Sequence, residues 1–202
     1  MPSQGFAAVF FPCLLFQAML FTTMGLSADI WKERKQGTLR RLVSTASRLE
    51  ALLAGKLLAV ALVLVLIGAV GLATGRWLAD MPVSNAATAV AWIVFSGVAL
   101  FVLMLQLQTI ASSERAASML TNLFVMPLMM LGGTFFPFEA MPKQMAAIGQ
   151  WTPNGWLLIE FKAILAGSMG AGRMAADFGI VAAVAALACV VAARRLRAKF
   201  VI

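Results

Sequence analysis

Histidine and tyrosine are absent from all 202 residues, cysteine occurs twice, and charged residues make up only 12% of the chain. The missing histidine removes the commonest metal ligand and the usual general base at neutral pH. Cys13 and Cys189 each sit inside an apolar run, near opposite ends of the membrane layer in the topology developed below, so no disulfide between them is expected. No carboxylate or lysine stands alone in the middle of an apolar run, where a proton relay or an ion-coupled carrier would put one. Asp29, Asp80, Glu114, Glu139, Glu160 and Asp177 fall near the ends of such runs or between them, and are read as solvated charges or interfacial anchors. The serines, threonines and cysteines of the runs lack a base within reach to activate them. Gly132-Gly133 and the glycines from Gly167 to Gly172 are followed by no Lys-Ser or Lys-Thr, so they form no phosphate-binding loop. No catalytic residue, no metal site and no cofactor is expected, and any power for moving a cargo would be applied from outside the chain.

Apolar sequence is what the chain has in excess: 62% of residues are hydrophobic and the mean hydropathy is +0.93, against about half apolar in soluble domains. The runs reach the ~20 residues that a helix needs to cross hydrocarbon. The first, Phe6 to Ala28, is too long for a signal-peptide core and has no charge before it. Five spans are expected, at about 6–28, 52–74, 86–107, 117–135 and 175–193. Pro12 kinks the first and Pro127 interrupts the fourth, while Gly55, Gly68 and Gly71 give the second a small-residue surface for close helix contact. Gly75, Arg76, Trp77 and Asp80 are read as an outer turn. Met119, Met126, Met129 and Met130 form a flexible surface, read first as lipid or core filler and second as an adaptable wall facing a cargo.

Residues 136–172 are broken by Pro137, Pro142, Pro153 and Gly155, and offer two short helices, Pro142 to Gly149 and Trp156 to Ala166, that would lie in or dip into the outer interface. Arg173 and Asp177 are one helical turn apart and can pair. The fold class is therefore all-α: a polytopic helical bundle of about five membrane spans with short outer interfacial helices, in a single transmembrane domain over 1–202.

The formal charge is +8. An excess of Lys and Arg on cytoplasmic loops accounts for it without nucleic acid. Residues 29–51 form the one long charged segment between apolar runs, read as a basic elbow of two short helical pieces, with Trp31 at headgroup depth and Ser47 with Glu50 as a capping box before the second span. With this elbow and the basic tail 194–202 in the cytoplasm, only Arg76, Lys143, Lys162 and Arg173 are left outside. The carboxyl end is then cytoplasmic and the amino end outside, in a plasma membrane of bacterial inner-membrane type. An odd number of spans hints at a further span before Phe6.

Two separated stretches resemble one family. Glu33-Arg34-Lys35-Gln36-Gly37-Thr38-Leu39-Arg40-Arg41-Leu42, with Ser47-Arg48 and Gly55-Lys56-Leu57-Leu58, is similar to the first cytoplasmic loop of ABC-2 type transporter permeases, the membrane subunits of ATP-binding-cassette exporters. Gly132-Gly133-Thr134-Phe135-Phe136-Pro137, then Met141-Pro142 and Pro153, resembles the outer segment between the last two spans of that family. The resemblance implies an exporter permease coupled to a separate cytoplasmic ATPase subunit, paired with a second permease subunit, identical or not, and surrounded by membrane lipids. It implies that Glu33, Arg34, Gly37 and Thr38 belong to the loop before a coupling helix, and that the piece from Leu39 to Ser47, with Arg40, Arg41 and Leu42, docks on the ATPase. Gly132, Gly133, Pro137, Pro142 and Pro153 would shape the outer helices that cap the route.

The sequence departs from the family at Lys35, where a second acidic residue is usual, and at Ala46, where a proline is usual; its spans correspond to the second through sixth of the family's six. Few polar groups in the spans lean toward a hydrophobic or amphipathic cargo, with a sugar polymer or another large polar cargo left open. The competing classes are a non-transporting membrane anchor or assembly protein, an inactive truncated permease, and, least favoured, a membrane-embedded enzyme.

Overall fold

The computed structural model describes residues 6–37 and 49–200. The described elements are helices α1 (Phe6–Lys35), α2 (Leu49–Ala79), α3 (Ala86–Ile110) and α4 (Glu114–Leu131), a single 3-10 turn (Phe138–Ala140), and helices α5 (Lys143–Gly149), α6 (Pro153–Ala166) and α7 (Ala171–Phe200). Four helical stretches, Val9–Lys35, Ala51–Leu78, Ala86–Ile110 and Ala171–Leu196, are long and apolar enough to cross a membrane among the described residues. At the fourth expected span, α4 has 18 residues, about 27 Å at 1.5 Å per residue, and it opens on Glu114 and Arg115 and carries Asn122 and Pro127. It is shorter and more polar than the other four.

The long helices overrun the expected spans at both ends of the layer. α1 continues through Asp29–Lys35, so the first third of the expected elbow is helix. Lys32 pairs with Asp29 at 2.8 Å one turn back, and the three basic residues of the last turn complement the helix's negative end. Gly37, at φ +69°, turns the chain out of the helix. The expected turn at Gly75, Arg76 and Trp77 is likewise the last part of α2, which stops only where Asp80 takes φ +44° and the Met81 N–H donates to Gly75 O at 3.2 Å. Gly75 lets α2 approach α1 closely, since the Phe11 ring fills the space of a side chain and a Cβ there would lie 2.6 Å from it.

α3 is the central post, packed on α1, α2, α4, α6 and α7. Trp92, Ile93, Leu100, Phe101 and Leu105 are buried along it, and its start is capped by Asn85, whose side chain accepts from Thr88 N–H at 3.1 Å. Gly97 admits α2 and α1 closely, since a Cβ there would lie 2.5 Å from Leu64 and 3.2 Å from Met19. α2 and α7 turn large apolar side chains such as Leu58, Leu62, Leu66 and Leu187 outward, as helices against lipid do.

α6 packs into the bundle beside α3. Ser84 N–H donates to Leu165 O and Trp92 Nε1–H to Leu157 O, both at 3.0 Å, so α6 runs antiparallel beside the first turns of α3. The eight residues between those contacts correspond to about 12 Å of depth. Phe161 is fully buried and meets Phe16 of α1 at 5.2 Å between ring centroids. Thr152 caps the inner end by accepting from Gly155 N–H at 3.1 Å with Pro153 in the first helical position. Gly167, at φ +66°, closes the other end, with Ser168 N–H donating to Ala163 O at 3.1 Å.

Candidate functional site

Two ends of the bundle gather the residues singled out in the sequence. At the basic end, Glu33 of α1 pairs with Lys56 of α2 at 2.8 Å, both side chains mostly covered. Lys35 pairs with Glu114, which ties α1 to the start of α4. Arg34 lies over the Trp31 ring at 5.4 Å from its centroid, a cation-π contact. Trp31 is itself buried among the helices, 4% exposed. α1 continues past it and carries it into the bundle. Gln106 bridges α3 and α7: its Nε2 donates to Ala188 O at 2.5 Å and its Oε1 accepts from Arg195 at 3.5 Å. Gln108 donates to Thr121 at 3.0 Å and so joins α3 to α4 in the buried interior. Of the residues that the resemblance assigns to coupling, Glu33, Arg34 and Gly37 stand at and just past the end of α1, whereas Thr38, Leu39, Arg40, Arg41 and Leu42, with Ala46, Ser47 and Arg48, lie outside the described residues.

The far end is built on close backbone contact. Gly132 ends α4, its N–H donating to Leu128 O at 2.8 Å and its O accepting from the buried Asn154 Nδ2 at 3.3 Å. Gly133, at φ +80°, turns the chain under the Phe138 ring. Pro137 and Pro142 precede the 3-10 turn and α5, and Pro153 opens α6. Gly149 and Gly155 let α4, α5 and α6 cross: a Cβ on Gly149 would lie 2.0 Å from Leu131 O, and one on Gly155 2.1 Å from Gly149 O. All five outer residues named from the sequence fall in this knot, which also contains Asn154 and Gly149.

Glu160 corrects the sequence expectation. It is 2% exposed, held by Arg173 of α7, and not a solvated charge. Arg173 Nε also meets Asp177 Oδ2 at 3.7 Å, the turn-apart pair foreseen in the sequence. Near this cluster, Lys162 bonds both oxygens of Glu139 at 2.9 and 3.1 Å. A signal for Glu160 existed: it lies three residues after Leu157 and four before Ile164, on the same side of α6 as these buried residues. A cavity of about 230 Å³ at this end is bordered by Pro12, Met81, Pro82 and the Glu139–Lys162 pair.

Basic and acidic residues divide unevenly between the ends. Among the described residues the basic end carries nine Lys and Arg against four Asp and Glu, and the far end carries four against four. A family model described as ABC-2 family transporter protein matches residues 1–194, and so includes both ends. The chain belongs to the ABC-2 transporter family. No curated protein and no solved structure matches it. The chain is thus a multi-pass membrane permease. Within the permease, the basic end and the glycine-rich knot are joined through α1 and α4, since α1 packs on α4 and α6 and α4 reaches from Lys35 to Asn154.

Proposed function

We propose that the permease forms one half of an export route, driven when a separate cytoplasmic ATPase subunit moves the elbow between α1 and α2. The observation that carries this reading is the bracing of the elbow's root. Glu33–Lys56, with both side chains mostly covered, joins α1 to α2, so a push on the elbow reaches both helices together, and the exposed Lys35–Glu114 pair links α1 to α4 more loosely. The surplus of Lys and Arg at this end supports its cytoplasmic placement in a bacterial inner membrane, with the carboxyl end inside and the amino end of this chain outside. In this topology α4 is a fifth crossing.

The route itself runs along α4, against a second permease subunit. The buried side of α4 is Ala117, Thr121, Val125 and Met129, whereas Met119, Leu123, Met126 and Met130 are exposed, with Asn122 exposed among them. An amide turned to hydrocarbon has nothing to hydrogen-bond, and a second subunit or a passing cargo would supply the partner. Flexible thioethers suit a wall that meets variable apolar or amphipathic cargo. The re-entrant α5–α6 segment, shaped by Gly132, Gly133, Pro137, Pro142 and Pro153, closes the outer side.

The test is co-purification from membranes co-expressing an ATPase subunit, before and after Arg40→Glu with Arg41→Glu. Retention of the ATPase by the unaltered chain and its loss on reversal is the expected result. An inserted, stable chain that retains no ATPase would favour a membrane anchor and sink the exporter reading.

A further inference from the structure

At the basic end α2 and α7 diverge and leave a groove of about 440 Å³, lined by Leu53, Ala54 and Leu57 on one side and Cys189, Ala193 and Arg194 on the other. Its size falls within the ~300–1,000 Å³ of sites that take small molecules. The outer side is open, because Ala54, Val190 and Arg194 are exposed, and the outward neighbours Leu58 and Leu187 face lipid. The lining is apolar except at one end, where Arg194 stands as α7 leaves the apolar layer.

The nearby cations differ in their engagement. Lys56 is taken by Glu33 and Arg195 by Gln106, whereas Arg194 has no acidic partner among the described residues. Arg197 and Lys199 follow on α7, and Glu50 in the first turn of α2 is the one acidic residue close by in the sequence.

We propose that this groove binds an anionic phospholipid, one acyl chain lying along Leu53, Leu57 and Ala193 with the phosphate at Arg194. A basic side chain at the headgroup level beside an apolar interhelical cleft attracts such a lipid by both of its parts. A neutral lipid would fill the apolar part and gain no net attraction at Arg194. A second copy of the chain would bring the same basic face of α7 against this one. The site depends neither on an ATPase nor on which side of the membrane the basic end faces, so it stands or falls separately from the exporter reading.

Cys189 in the groove is a built-in reporter, and Cys13, fully buried, is removable as Cys13→Ser. The full chain carrying that change is placed in nanodiscs of phosphatidylcholine with and without phosphatidylglycerol, and the rate of Cys189 labelling by a membrane-permeant maleimide is read. Phosphatidylglycerol is expected to slow labelling about fivefold, the share of one basic side chain's attraction to an anionic headgroup. Arg194→Gln abolishes the difference and Arg194→Lys keeps it, and Ala54→Phe slows labelling in both lipids. Equal rates in the two lipids with Arg194 present, an undiminished difference in Arg194→Gln, or a Cys189–Cys189 cross-linked dimer on mild oxidation would overturn the proposal.

Discussion

At the basic end, Lys32 and Lys35 keep about two thirds of their side chains exposed while pairing with Asp29 and Glu114; at the far end, Glu160 meets Arg173 with 2% of its own side chain exposed. The first arrangement costs little to make or to break, since exposed ion pairs contribute about 0–1 kcal/mol each. The second is hard to undo, because a buried carboxylate that loses its partner is left uncompensated in a medium of low polarity. The backbone follows the same division. Gly132, Gly149 and Gly155 bring α4, α5 and α6 into contact without intervening side chains, whereas the basic end is joined through long Lys, Arg and Gln side chains that tolerate displacement. The two ends of the permease thus differ in how their helices are joined, mostly through side chains at one and through close backbone contact at the other.

The strongest way to break this contrast is Gly149→Val. The obstacle to a side chain there is the Leu131 carbonyl, 2.0 Å from the Cβ position, and backbone cannot swing aside as a side chain can. A loss of about 3 kcal/mol or more is expected, read as a lower melting temperature in detergent, and an unchanged one would show that α5 is not seated on α4. Next comes Arg173→Gln. Removing Arg173 leaves the buried Glu160 carboxylate without its cation, so a lower melting temperature is expected. Adding Glu160→Gln should recover most of the loss. The same double-mutant cycle on the exposed Asp29 and Lys32 should give a clearly smaller coupling. Equal couplings in the two cycles would erase the distinction between the ends.

Much of this architecture was legible in the sequence because a membrane helix is written as a run of apolar residues. Four of the five expected spans are helices long and apolar enough to cross. The ends of those helices were less legible. Asp29–Lys35 and Gly75–Trp77 look like loop composition, yet both continue the long apolar helices that precede them. The central place of α3 could not be read, since all the runs are similarly apolar and the choice among them depends on contacts such as Gly97 against Leu64. Prolines and glycines marked the helix breaks of the segment 132–172, where Pro142, Pro153, Gly132 and Gly133 all stand at helix ends or turns. Its depth was hidden, because charge was taken as a sign of water. Glu160 is buried only because α7 supplies Arg173 from 13 residues away. The partner of Glu33 was hidden for the same reason, since Lys56 lies across the whole elbow.

The claim that most needs testing is that the elbow drives the helices through its braced root. The direct measurement is ATP-driven transport and ATP hydrolysis in vesicles containing the permease and its ATPase, comparing Glu33→Lys, Lys56→Glu and the two together. The account predicts that each single reversal, which sets like charges against one another across α1 and α2, uncouples hydrolysis from transport, and that the swapped pair restores much of the coupling. Single reversals that leave coupling intact, or a swapped pair no better than either alone, would contradict it.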